Sequence, residues 1–186
     1  WVIGQNTPTL VKWSAAYAPA VWEDCYPSGT TADVYYLAGH IDFAETNGAV
    51  NAIGQLRDIL VVYKSDSVAM LSPTGIYSDP FQVDYMAWKI GVGAARAVAI
   101  TPERHFFPTP DSIWQVEIGE VSKTPSRYSI TDYGKVWVLP GESTMFAQAY
   151  YSGDTGNLCL AYNYDTNSVY YAELKNLVDI TEHNNS

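Results

Sequence analysis

Ile59-Leu60-Val61-Val62-Tyr63 is followed by Lys64-Ser65-Asp66-Ser67 and then by Val68-Ala69-Met70-Leu71. Both apolar arms are rich in residues that sit well on a pleated, half-buried surface, and the polar tetrapeptide between them has turn composition. The pattern predicts a β-hairpin.

Three further segments repeat the strand, turn, strand shape. His105-Phe106-Phe107 leads through Pro108-Thr109-Pro110-Asp111 into Ser112-Ile113-Trp114-Gln115-Val116-Glu117-Ile118. Its prolines are read as loop residues, because proline cannot donate to a central ladder. Lys135-Val136-Trp137-Val138-Leu139 turns at Pro140-Gly141-Glu142-Ser143 into Thr144-Met145-Phe146-Ala147-Gln148-Ala149-Tyr150. Pro-Gly suits a type II turn, since proline presets φ and glycine accepts the positive φ that follows. Leu158-Cys159-Leu160-Ala161-Tyr162-Asn163-Tyr164 turns at Asp165-Thr166-Asn167 into Ser168-Val169-Tyr170-Tyr171-Ala172-Glu173-Leu174. Additional short strands are expected at Leu10–Trp13, Val34–Leu37, Val50–Ile53, Ala95–Ile100 and Arg127–Thr131.

The composition agrees with an all-β fold. The 186 residues are 47% hydrophobic, 14% aromatic and 16% charged, which excludes a wholly disordered chain. The length allows one domain or at most two small ones. Ten Lys and Arg against 20 Asp and Glu give a net charge of −10, the wrong sign for clustered phosphate-backbone contacts. The longest apolar run, near Ile90–Ile100, is interrupted by Gly91, Gly93 and Arg96, so no membrane span is expected. The start at Trp1 points to a processed chain or a piece of a longer one, and we favour the piece. Cys25 and Cys159 are isolated and sparse, which removes zinc-ribbon and thioredoxin patterns and disfavours a long-range disulfide.

Hairpins recurring at intervals of roughly 25–45 residues suggest antiparallel four-stranded sheets arrayed radially, the β-propeller architecture, with a β-sandwich as the alternative. At about 40–50 residues per blade, the chain supplies three to four blades. The expected organisation is one propeller domain, or a fragment of one, over 1–186, with an irregular first blade at 1–50 and repeated hairpins over 51–186.

A family resemblance rests on Val11-Lys12-Trp13-Ser14, the downstream Val21-Trp22, the Gly29-Thr30 pair, and the run Ala52-Ile53-Gly54-Gln55-Leu56-Arg57-Asp58-Ile59 leading to Lys64-Ser65-Asp66-Ser67-Val68. It continues through Ile90-Gly91-Val92-Gly93-Ala94-Ala95-Arg96-Ala97-Val98 and Asp111-Ser112-Ile113-Trp114. This order of elements resembles the β-propeller structural proteins of tailed bacteriophages, found in the tail hub, nozzle or adaptor of short-tailed phages. The resemblance covers roughly residues 10–175 and consists of blade-building patterns. It implies a non-enzymatic virion protein, located in the phage tail, that joins identical subunits in a ring and contacts other tail proteins. Genomic DNA would pass nearby without specific binding. The alternative is a propeller that binds or cleaves a host surface polysaccharide.

Catalytic chemistry finds little support in the residues. A glycosidase needs two carboxyl groups facing one bond, whereas Asp58, Asp84, Asp111, Asp132 and Asp154 mostly fall at turns, where Asp caps backbone. Ser152-Gly153-Asp154-Thr155-Gly156 resembles the Asp-box of sialidase-type propellers, a hairpin staple, but lacks the aromatic that follows it there. A carboxylate-binding triad would have to come from Arg57, Arg96, Arg104 and Arg127. Asp154, Asn157, Asn163, Asp165 and Asn167 are oxygen donors without EF-hand spacing, and His40, His105 and His183 lack paired-ligand spacing. No nucleophile elbow or phosphate loop is present. Cys25, beside Glu23, Asp24 and Tyr26, has neighbours that disfavour a thiolate. Tyr35-Tyr36, Tyr150-Tyr151 and Tyr170-Tyr171 are interface or sugar-stacking residues in which one member of each pair faces each side of a sheet. We therefore assign no catalytic, cofactor or metal residue, and no cofactor.

Overall fold

The computed structural model describes residues 1–3, 7–14, 38–76, 79–93, 97–109, 112–124, 132–139, 143–150 and 157–173. Among these residues the protein is all-β, built of several small antiparallel sheets, none of them closed. The first sheet has three strands, β1 (Val2–Ile3), β2 (Leu10–Trp13) and β3 (Gly39–Asp42). The second is β4 (Val50–Leu56), β5 (Ile59–Lys64), β6 (Ser67–Ile76) and β7 (Asp79–Trp88). The third is β8 (Ala99–Ile100), β9 (His105–Thr109), β10 (Ser112–Glu117) and β11 (Glu120–Lys123). The fourth is β12 (Asp132–Leu139), β13 (Thr144–Tyr150), β14 (Asn157–Asn163) and β15 (Ser168–Glu173). Every sheet is a meander whose neighbours in space are neighbours in sequence.

The sheets stack face to face in chain order. Val11 and Phe43 of the first sheet region pack with Val50, Leu60, Val62, Ala69 and Leu71 of the second. The opposite face of the second sheet, carrying Val61, Tyr63, Val68 and Met70, packs with Phe107 and Val116 of the third. The other face of the third, with Ala99, Phe106 and Ile113, packs with Met145, Ala147, Leu160 and Tyr162 of the fourth. Adjacent residues thus enter different cores: Phe106 goes to one, Phe107 to the next. This follows from the two-residue side-chain period of a strand, and it explains why the Ile59–Tyr63 run is continuously apolar. Complete burial of each such side chain stabilises the fold by about 1.5–3 kcal/mol before entropy is counted.

First strands lie beside first strands. β1 touches β4, β4 touches β8 and β8 touches β12, while at the other margin β7 touches β11. Gly54 makes the second of these approaches possible: a Cβ there would lie 2.8 Å from Ile100 Cδ1 and 2.9 Å from His105 Cε1.

The expected hairpins form with the registers Tyr63↔Val68, Ser112↔Thr109, Leu139↔Thr144 and Asn163↔Ser168. Several expectations need correction. Lys64 is the last residue of β5 and fully buried, leaving Ser65 and Asp66 as the turn. Pro108 is inside β9, opposite Ile113. The neighbouring β8 begins only at Ala99, opposite Phe106, so its ladder does not reach Pro108 and the missing N–H is tolerated. Of the strand expected at Ala95–Ile100, Ala99–Ile100 is strand, 97–98 is not, and 95–96 lie outside the described residues; β12 begins at Asp132, ahead of Lys135. The expected strands at Val34–Leu37 and Arg127–Thr131, and the turn at Pro140-Gly141-Glu142, lie outside the described residues. No described helix is long and apolar enough to cross a membrane.

Candidate functional site

Two features hold polar chemistry in unusual surroundings. The first is a cleft of about 270 Å³ between the first and second sheets, lined by Trp1, Gln55, Asp58, Leu60, Pro73 and Phe81 among others. Its wall is the β4–β5 turn. Leu56 opposite Ile59 leaves Arg57 and Asp58 to reverse the chain, and Arg57 takes a left-handed φ of 53°. Gln55 Nε2 donates to the Arg57 carbonyl at 2.9 Å, and the Arg57 N–H donates to the Pro102 carbonyl at 2.9 Å. Asp58 lines the cleft together with Trp1 and Phe81, two members of a cluster of three rings. Trp1 lies 4.8 Å from Phe81 and 5.5 Å from Trp13, and Trp13 lies 5.1 Å from Phe81, all tilted or edge-on, the preferred aromatic geometries.

The second feature is sealed between the second and third sheets. His105 Nε2 is 2.9 Å from the Gln55 carbonyl oxygen, and His105 Nδ1 is 2.7 Å from the Tyr63 hydroxyl. A carbonyl only accepts, so Nε2 carries the ring hydrogen. Nδ1 is therefore the acceptor and Tyr63 donates to it. Both residues are fully buried. Burial pushes the His105 pKa down, partly opposed by the Gln55 and Thr101 carbonyls, and pushes the Tyr63 hydroxyl well above its ordinary range. Burial thus favours the neutral ring.

Lys64 presents a different case. Its ammonium donates to the carbonyls of Phe43 and Thr46, tying the chain that leaves the first sheet to the second. Burial lowers its pKa, and the charges of Asp66 and Asp42 oppose that shift. The Thr46 and Ser67 hydroxyls share a hydrogen bond of 2.9 Å beside it.

The residues singled out by sequence are dispersed. Among the five aspartates, Asp58 is in the cleft and Asp84 accepts from Gln82 on the edge strand β7. Asp132 opens β12 opposite Tyr150, and Asp111 and Asp154 lie outside the described residues. Arg57 pairs with Glu103 at 3.9 Å on the surface. Arg104 pairs with Glu117 at 3.0 Å and sits 5.4 Å from the Tyr164 ring, linking the third and fourth sheets. Asn163 and Asn167 serve turn geometry: Asn163 Oδ1 accepts from the backbone of Asp165 and Thr166 and from the Thr166 hydroxyl, and Tyr162 donates to Asn167 Oδ1 at 2.8 Å. Among the described residues no three His, Cys, Asp or Glu cluster as a metal site. Tyr170 is 62% exposed whereas Tyr171 joins the core, so that pair does divide between the two faces. Cys159 is a buried free thiol whose pKa is raised by burial. His40 is exposed on β3. Arg96, Arg127, Cys25 with its acidic neighbours, the Asp-box segment, Tyr35-Tyr36, Tyr151 and His183 lie outside the described residues.

Sequence inspection missed Lys64 and the role of His105. Lys64 sat next to a five-residue apolar run, where a charge at the end of a strand reads as turn. His105 opens an apolar strand, and its partners are 42 and 50 residues away. A scan of protein-family models and a search of curated proteins gave no match to the chain.

Proposed function

We propose that the four stacked sheets are successive blades of a β-propeller, and that the chain is a structural component of a bacteriophage tail hub, nozzle or adaptor. It works as one copy in a ring of identical subunits around the conduit for DNA retention and ejection. The observation that carries the architectural part is the burial of the second and third sheets on both faces, with first strands side by side. A two-layer sandwich leaves one face of each sheet to solvent. The tail assignment is carried by the order of elements in the sequence. Rigid meanders locked by paired cores provide shape for assembly, and the net charge of −10 lets DNA slide past by like-charge repulsion.

Antibody against the chain should label purified tail particles in a single layer, and recovery of the protein only as a free species from lysate would reject the tail assignment. A second reading, a glycan-binding propeller, is favoured by the cleft, where the rings of Trp1 and Phe81 and the Asp58 carboxylate offer a stacking surface and a hydroxyl acceptor. Saturable quenching of tryptophan fluorescence by a monosaccharide or oligosaccharide, lost in Phe81→Ala, would support this reading. Absence of any response across neutral and acidic sugars would leave the scaffold reading in place.

A further inference from the structure

We infer that His105 is a pH-sensitive latch between the second and third sheets: the neutral ring closes the Tyr63–His105–Gln55 chain of hydrogen bonds, and proton uptake at Nδ1 opens it.

The geometry allows one closed state. Nε2–H is committed to the Gln55 carbonyl at 2.9 Å and Nδ1 accepts from Tyr63 at 2.7 Å, so an added proton places two donors head to head. For the contact to survive, Tyr63 must turn its O–H elsewhere. Its hydroxyl is fully buried, and its ring is packed on Phe107 at 5.6 Å between centroids. A buried donor with no acceptor opposes the protonated state.

Among the described residues the surroundings supply no countercharge. β4 contributes the Gln55 carbonyl and the bare Cα of Gly54, and β5 contributes Tyr63. β8 places Ile100 opposite His105, β10 places Val116 opposite it, and the loop between β8 and β9 adds the Thr101 carbonyl. The nearest acids in sequence and register, Glu103 and Glu117, are engaged by Arg57 and Arg104. The charged residues at the adjacent β4–β5 turn are Arg57 and Asp58, and Asp58 faces the cleft on the other side of the second sheet.

The sign follows from linkage. The native ring binds a proton less readily than a solvated histidine, whose pKa is about 6.5. The closed interface is therefore fully favoured above about pH 6.5 and loses stability as pH falls toward the lower native value. Through that window the opening equilibrium rises by about tenfold per pH unit.

Hydrogen exchange of the wild-type protein, corrected for intrinsic rates, tests this between pH 7.5 and 5. Peptides spanning 50–56 and 99–109 should lose protection with a slope near tenfold per unit below about 6.5, while 158–171 in the fourth sheet changes less. His105→Gln should flatten that slope. Because the variant disturbs a core position, the tautomer and titration of His105 are also read directly by long-range ¹⁵N correlation on the wild type. An Nε2–H tautomer that resists protonation until protection falls supports the latch. Titration near 6.5 with protection unchanged overturns it, as does a uniform loss across all four sheets or an unaltered slope in His105→Gln.

Discussion

Lys64 shows how one side chain can organise a junction while looking like a turn residue. Its ammonium satisfies the buried Phe43 and Thr46 carbonyls, and its four-carbon stem leaves β5 on the face that carries Val62 and Leu60. Truncation removes both contributions. Lys64→Ala should destabilise the protein by about 2–4 kcal/mol, from a cavity and two orphaned carbonyls. Lys64→Met retains the volume and avoids burying a charge, so it should cost distinctly less. Urea denaturation midpoints of the two variants check the ordering, and equal losses would mean that the ammonium contributes everything and the stem nothing.

At the level of the element, the turns and the segments crossing them decide which strands meet. The segment after β7 runs over the β5–β6 turn: the Val92 N–H donates to the Lys64 carbonyl at 2.8 Å, and Asn51 Nδ2 donates to the Val92 carbonyl. Gly91 lies so close that a Cβ would fall on the Lys64 carbonyl oxygen and the Ser65–Asp66 backbone, which cannot yield as a flexible side chain does. Gly91→Ala should cost about 1–3 kcal/mol by overpacking. Gly93→Ala, with open space around the added carbon, should stay within about 0.5 kcal/mol of wild type. Thermal melts of the pair check this contrast. The four hairpins were legible because β-branched and aromatic runs flanked polar turns. β7 was equally available in Phe81, Val83 and Tyr85 alternating with Gln82 and Asp84, a clean two-residue period that was overlooked. β1 and β11 were not, since two to four residues carry no period, and their pairing is imposed by the longer neighbour. The cleft and the His105 contacts were illegible for a related reason: they join residues from different hairpins, and only register and stacking bring these together.

Across the whole molecule, each core cluster joins one pair of chain-consecutive sheets among the described residues, so stability is distributed as a series of interfaces. The fourth sheet holds to the third through Met145, Ala147, Leu160 and Tyr162, with Arg104 reaching across to the Tyr164 carbonyl at 3.4 Å. Cys159 sits within that sheet, buried, and burial raises the pKa of its thiol. Because alkylation requires an accessible thiolate, iodoacetamide should modify Cys159 only during excursions in which the fourth sheet opens. Peptide-resolved mass spectrometry of a labelling time course would record those excursions, and Leu160→Ala should hasten them several-fold at least. Immediate reaction in the wild type would contradict the shielding. One sulfur atom thus serves as a built-in chronometer for how often the fourth sheet comes undone.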